Sequence, residues 1–219
     1  MPRALNKPGI NFWLLWMLAT ATGWAAAFAI QKIFEDQMLA ALAWGTVVYG
    51  LLIFAIFMGN GLVIGLLQWL VMRAHLPHSG WWVLAAAPGW ALSWALVFAL
   101  PWAFVLTSDP PPFSWFVWLG GLAGGLAGGA AQWLVLQGSV RKAWRWVVFS
   151  MAYTPAAYFA FYGVELAERF LGVTTRVVAG GFAAGALSGL GLLWLLRDAL
   201  APSTDLEDTR PSFTSPDFR

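Results

Sequence analysis

The chain has 219 residues, of which 60% are hydrophobic and only 10% charged, with a formal net charge of +2. An ordinary soluble domain carries roughly 25% charged residues, so most of this chain needs the bilayer as its solvent. So small a net charge, with no basic run interleaved with aromatics, leaves no footprint for nucleic acid. The absence of cysteine excludes disulfides, thiolate metal sites and thiol catalysis, and leaves the redox compartment unread.

A helix needs about 20 apolar residues to cross the hydrocarbon core, and six segments qualify: 12–30, 45–72, 80–102, 115–137, 144–164 and 177–196. All are continuous runs rich in Ala, Leu and Gly, a helical rather than a strand pattern. After the first segment, 32–43 mixes charges with apolar residues and reads as a helix extension or a short helix at the outer surface. The second segment is overlong and should tilt or project. Deep within it, Asn60 sits between Gly59 and Gly61. Such a site marks either a broken helix at a binding site or a close crossing satisfied by one hydrogen bond.

Arg73, His75 and His78 follow; the histidines would meet a headgroup phosphate or simply be solvated. Pro88 and Pro155 should kink the third and fifth segments. The break Ser108-Asp109-Pro110-Pro111-Pro112 ends the third, and Arg141-Lys142 ends the fourth. Segment 165–176 resembles 32–43 in composition, with Glu165 and Arg169 spaced as a helical ion pair. Residues 201–219 are polar, with nothing to bury, and read as a disordered cytoplasmic tail. With six crossings, Arg3, Lys7, Arg73, Arg141, Lys142, Arg145 and Arg197 share one side. That asymmetry puts both termini in the cytoplasm of a bacterial cell, and the chain in its inner membrane.

Two stretches nearly copy each other. GLVIGLLQWLV at 61–71 and GLAGGAAQWLV at 125–135 agree at seven of eleven positions, and WMLATATGW at 16–24 and WVLAAAPGW at 82–90 agree at six of nine. The fold expected is therefore all-α and polytopic. Six transmembrane helices would form a single domain over 1–200, made of three two-helix hairpins at about 12–72, 80–137 and 144–197. The third hairpin is degenerate. Aligning Trp133 with Trp194 puts Gly120, Gly124 and Gly128 over Gly181, Gly185 and Gly189, and sets Leu193 where Gln68 and Gln132 stood. Glycines four apart (Gly61 and Gly65; Gly121, Gly125 and Gly129; Gly181, Gly185 and Gly189) give small faces for close helix packing, or a groove for a flat apolar ligand.

The start FWLLWMLATATGW and the helix ends QWLVM and QWLVL resemble a group of uncharacterised bacterial membrane proteins. In that group a WxLAxxxGW helix alternates with a Gly/Ala-rich helix ending in QWLVLR. The likeness covers 16–24, 61–73, 82–90 and 125–136, and departs in the last hairpin and at Gln137, where the group has a basic residue. It implies architecture and no activity.

No Asp, Glu, Lys, Arg or His lies in the middle of a segment, which disfavours a proton- or ion-driven carrier. There is no axial histidine for haem, no nucleophile elbow and no carboxylate cluster for a metal. The expectation is thus a non-enzymatic protein without cofactor or metal, an accessory or assembly subunit or a lipid-interacting scaffold. Its partners would be membrane lipid and other membrane proteins. The alternative is a binding or transport module for a small neutral or amphipathic molecule, similar in size and helix count to the substrate-binding membrane components of vitamin importers. Asn60, Gln68, Gln132, Trp69, Trp133 and Tyr153 are the candidate ligand or inter-helix polar contacts. Symmetry would make pairing of Gln68 with Gln132 natural.

Overall fold

The computed structural model describes residues 8–76, 79–104, 113–163 and 173–199. Every regular element among them is helical: α1 (Ile10–Ile33), α2 (Glu35–Leu42), α3 (Thr46–Met72), α4 (Trp81–Phe104), α5 (Phe113–Leu136), α6 (Arg145–Gly163) and α7 (Val173–Ala199). Each of the six apolar segments is a helix, and 32–43 contains the short α2. Gly45 separates α2 from α3 at φ 104°, a backbone that side-chain-bearing residues rarely adopt. Four helices, α1, α3, α5 and α7, hold stretches long and apolar enough to cross a membrane: Ile10–Ile33, Val47–Met72, Trp115–Leu136 and Thr175–Asp198. His78, the 108–112 break, 165–169 and the 201–219 tail lie outside the described residues.

One expectation about local geometry changes: α3 runs unbroken through Gly59-Asn60-Gly61, so this is no discontinuous helix. Pro88 and Pro155 lie inside α4 and α6, which stay helical around them. A neighbour accommodates the second proline: Gly121 of α5 has no side chain, and Pro155 occupies the room a Cβ would need.

The six long helices close on themselves. α1 packs on α3, α3 on α4, α4 on α5, α5 on α6, α6 on α7, and α7 returns to α1. Glycine makes most of these approaches possible, because removing Cβ lets backbones meet at the distance where dispersion and C–H···O contacts add up. Gly128 of α5 lies against Gly89 of α4, while Gly125 and Gly129 on the adjacent ridge lie against Ser150 of α6. The two glycine ridges of α5 thus serve its two neighbours.

The polarity of the ring is inverted relative to a soluble protein. Leu14, Leu18, Leu51, Leu66, Leu84, Leu122, Leu126 and Leu190 are exposed on its exterior, whereas Thr20, Gln68, Ser93, Gln132, Ser150 and Ser188 are buried. In lipid, association of helices gains nothing from burying leucine, so packing and internal hydrogen bonds must hold the ring. Two apolar clusters fill its ends. One joins Phe12, Trp16, Met72, Trp82, Leu136, Trp146 and Leu192; the other joins Trp24, Phe57, Trp94, Tyr158 and Val177. The first end is also the basic one. There Arg197 Nε donates to the Pro8 carbonyl at 3.2 Å, and Arg145 lies 3.6 Å from Asp198. Arg73 and Arg145 sit over the rings of Trp69 and Trp194 at 5.5 and 5.1 Å.

Candidate functional site: a polar chamber inside the ring

Between the two clusters the ring holds a partly open chamber with about 80 Å³ of room for the centres of water molecules. All six long helices contribute to its wall, including Thr20 and Trp24 of α1, Gln68 of α3, Ser93 of α4, Gln132 of α5, Tyr153 and Tyr158 of α6, and Ser188 of α7. Gly124, Gly125, Gly128 and Gly129 of α5 also border the space, at its close crossings with α4 and α6. One water needs about 10–15 Å³ by this measure, so the chamber holds several waters or one compact solute. Among the described residues its lining has no Asp, Glu, Lys, Arg or His.

Three indoles close the basic end. Trp16, Trp82 and Trp146 are each 0% exposed, with Trp82 between the others, edge-on to Trp16 at a centroid distance of 5.7 Å and tilted against Trp146 at 5.9 Å. Each indole N–H donates to a neighbouring helix: Trp82 to Gln68 Oε1 at 3.0 Å, Trp146 to Gln132 Oε1 at 2.8 Å, and Trp16 to Ser188 Oγ at 2.9 Å. Gln68 Nε2 donates onward to Thr20 Oγ1 at 3.0 Å. The glutamines therefore do not pair with each other, because a buried indole N–H competes for each carbonyl. Gln132 Nε2 has no partner among the described residues, and this amide lines the chamber.

The glycine contacts of α7 can be set beside those of α3. Gly61 and Gly65 of α3 meet Ala87–Trp90 and Val83–Ala86 of α4, and Gly181 and Gly185 of α7 meet Ala21–Trp24 and Met17–Thr20 of α1. By contact, Gly185 thus corresponds to Gly65 and Gly129, which sets Ser188 beside Gln68 and Gln132. Leu192 falls beside Met72 and Leu136, and all three are fully buried. Alignment on Trp194 differs from this contact equivalence by five residues. It matched a ring that is 51% exposed beneath Arg145, instead of the buried positions that govern packing. Ser188 is the polar residue that the sequence reading missed, and its only signal there is a hydroxyl in a Gly/Ala-rich face.

Higher in the chamber, Tyr158 Oη donates to Ser93 Oγ at 2.6 Å, and Ser93 Oγ donates to the Gly120 carbonyl at 3.0 Å, joining α6, α4 and α5. Ser93→Ala removes both bonds, the Tyr158 hydroxyl losing its buried acceptor. We expect it to lower unfolding free energy by about 1–2 kcal/mol, and equilibrium unfolding in mixed micelles measures the loss.

The other candidate residues divide. Tyr153 lines the chamber and packs against Trp146 and Phe149 at 5.9 and 5.8 Å. Trp69 and Trp133 do not line it; Trp69 lies beneath Arg73, and Trp133 packs against the basic-end cluster. Asn60 is 1% exposed and outside the chamber wall, with neither amide atom hydrogen-bonded. The single-bond reading of a close crossing therefore fails as well. The packing glycines Gly61, Gly65, Gly121, Gly125, Gly129, Gly181, Gly185 and Gly189 all face neighbouring helices of the same chain. Compared with known protein families, curated proteins and solved structures, the chain matches none.

Proposed function

We propose that this chain is a non-enzymatic, six-span protein of the bacterial inner membrane, built from three two-helix units, that holds a small neutral or amphipathic molecule in its central chamber. The observation that carries this reading is the chamber wall. Uncharged hydrogen-bonding groups from six helices converge on a space that no side chain fills. Such a wall suits a solute that exchanges hydrogen bonds without bringing charge into a low-dielectric interior. The three-unit reading draws support from the three tryptophan N–H bonds, which recur at matching helix contacts. In this reading the basic end faces the cytoplasm.

Native mass spectrometry of gently extracted protein tests the binding. One small molecule per chain, lost from Gln132→Leu while the protein stays folded, is the expected result; a bare chain contradicts it. The second reading, an accessory subunit or lipid-interacting scaffold, rests on the apolar exterior, since the glycine faces are already occupied within the chain. It predicts polypeptides at fixed stoichiometry in the same spectra.

Topology has its own test, and a chain without cysteine is ready for it. Ser139 and Gln37 are exposed at opposite ends of the ring. In intact spheroplasts an impermeant maleimide should label Gln37→Cys and leave Ser139→Cys unlabelled until lysis. The reverse pattern overturns the orientation.

A further inference from the structure

The polar groups of the chamber wall are unevenly spent. An indole nitrogen only donates, so each of the three floor tryptophans takes up an acceptor. Trp146 occupies Gln132 Oε1, Trp82 occupies Gln68 Oε1, and Trp16 occupies Ser188 Oγ. Ser93 Oγ and Thr20 Oγ1 accept from Tyr158 and Gln68. Hydroxyl hydrogens go to helix carbonyls: that of Ser93 to Gly120, of Thr154 to Ser150, and of Ser188 to Ala184. Unspent donors collect at the corner between α5 and α6. Gln132 is 7% exposed, and its Nε2 carries two N–H groups without a partner among the described residues. Ser150 is 1% exposed, and its hydroxyl has no partner either. The two belong to facing turns. Ser150 stands one turn from Trp146, which holds the Gln132 amide, and its Oγ would lie 3.0 Å from a Cβ on Gly129, one turn from Gln132.

We infer that this corner selects a compact neutral solute by its carbonyl oxygen, an inference that rests on the chamber's holding a small molecule. Gln132 Nε2 donates to that oxygen, and the Ser150 hydroxyl supplies a second donor. A carbonyl oxygen has two lone pairs and can take both. Trp146 makes the choice selective. An amide free to turn over would offer its oxygen or its nitrogen to the solute. Here Oε1 is held at 2.8 Å by a group that cannot accept, so the nitrogen is kept for the solute. Gln132 is thus the recognising residue and Trp146 the positioning one. A solute without an acceptor would leave buried donors unpaired, a penalty that discriminates more sharply than a small misfit in shape. A small anion also attracts donors, but among the described residues no cation lines the chamber to offset its dehydration. The room of about 80 Å³ is roughly half that of a cavity that takes benzene, which limits the solute to a few non-hydrogen atoms.

The test compares acetamide with thioacetamide, which keeps the N–H donors and nearly the same shape but has sulfur in place of the acceptor oxygen. Acetate is the charged counterpart. Ligand-observed saturation-transfer NMR of the protein in nanodiscs reads weak affinities of this kind. The expected result is saturable binding of acetamide, about fivefold or more tighter than either thioacetamide or acetate. Equal binding of thioacetamide, tighter binding of acetate, or no binding of acetamide overturns the proposal. Native mass spectrometry separates that failure from failure of the underlying reading. A chain still carrying one small molecule loses only the carbonyl selection, whereas a bare chain loses both. Ser150→Ala removes a hydroxyl that bonds to nothing in the protein, so it should unfold as the parent does. It should bind acetamide about threefold more weakly, and unchanged affinity overturns the two-donor corner. Trp146→Phe keeps an aromatic ring but drops the N–H, which lets the Gln132 amide turn over. The preference for acetamide over thioacetamide should then shrink toward none while both still bind. A preference kept in full overturns the positioning role.

Discussion

Gly89→Ala should be among the most damaging single substitutions in the chain. A methyl at this position would fall on Gly128 Cα and N, at the crossing of α4 and α5, and a backbone cannot rotate out of the way as a side chain can. The two helices must separate, losing dispersion contacts along their shared face. We expect a cost of about 3 kcal/mol. The partner position is asymmetric. A Cβ on Gly128 would lie 3.1 Å from Gly89 Cα, so Gly128→Ala should cost less. Gly59→Ala is the control, because nothing stands within 4 Å of its Cβ. There the better helix propensity of alanine should leave stability unchanged or raise it by up to about 1 kcal/mol. Equilibrium unfolding of the three variants in mixed micelles reads the order directly. Equal effects at Gly89 and Gly59 would mean that α4 and α5 do not cross at glycine.

Gln68→Leu should be the most costly loss of a polar side chain. Its amide takes the Trp82 N–H and gives a hydrogen to Thr20, so it joins α4, α3 and α1 through one residue. Leucine fills much the same volume but abandons a buried indole N–H and a buried hydroxyl. Buried orphans cost about 1–3 kcal/mol each, partly regained where the hydroxyl can turn to its own helix carbonyl. A net loss of about 2 kcal/mol is expected. Gln132→Leu orphans only the Trp146 N–H and should cost about half as much. If the two variants unfold alike, Thr20 is not part of the network.

The helices were legible in the sequence because continuous apolar runs have one stable form in lipid, and their limits fall where proline, glycine and charges end them. The buried amides were legible too, since glutamine inside an apolar run must find a partner. Which partner was not. Gln68 and Gln132 looked like mates by symmetry, yet an indole one helix away reaches each carbonyl first. Ser188 escaped notice because its equivalence to the glutamines lies in contacts between α7 and α1, which are far apart in sequence. Closure of the ring was hidden for the same reason: a glycine face shows that a backbone will approach, but not whose.

That closure is the claim on which the chamber and the indole floor both depend. With no native cysteine, spin labels can be placed at Leu18→Cys on α1 and Leu190→Cys on α7, both half exposed on the exterior. Pulsed electron–electron resonance in nanodiscs then measures the distance between first and last helix. Neighbours in a ring should give a distance below about 30 Å, whereas six helices in a row, spaced about 10 Å apart, would put the labels about 50 Å apart and contradict the account.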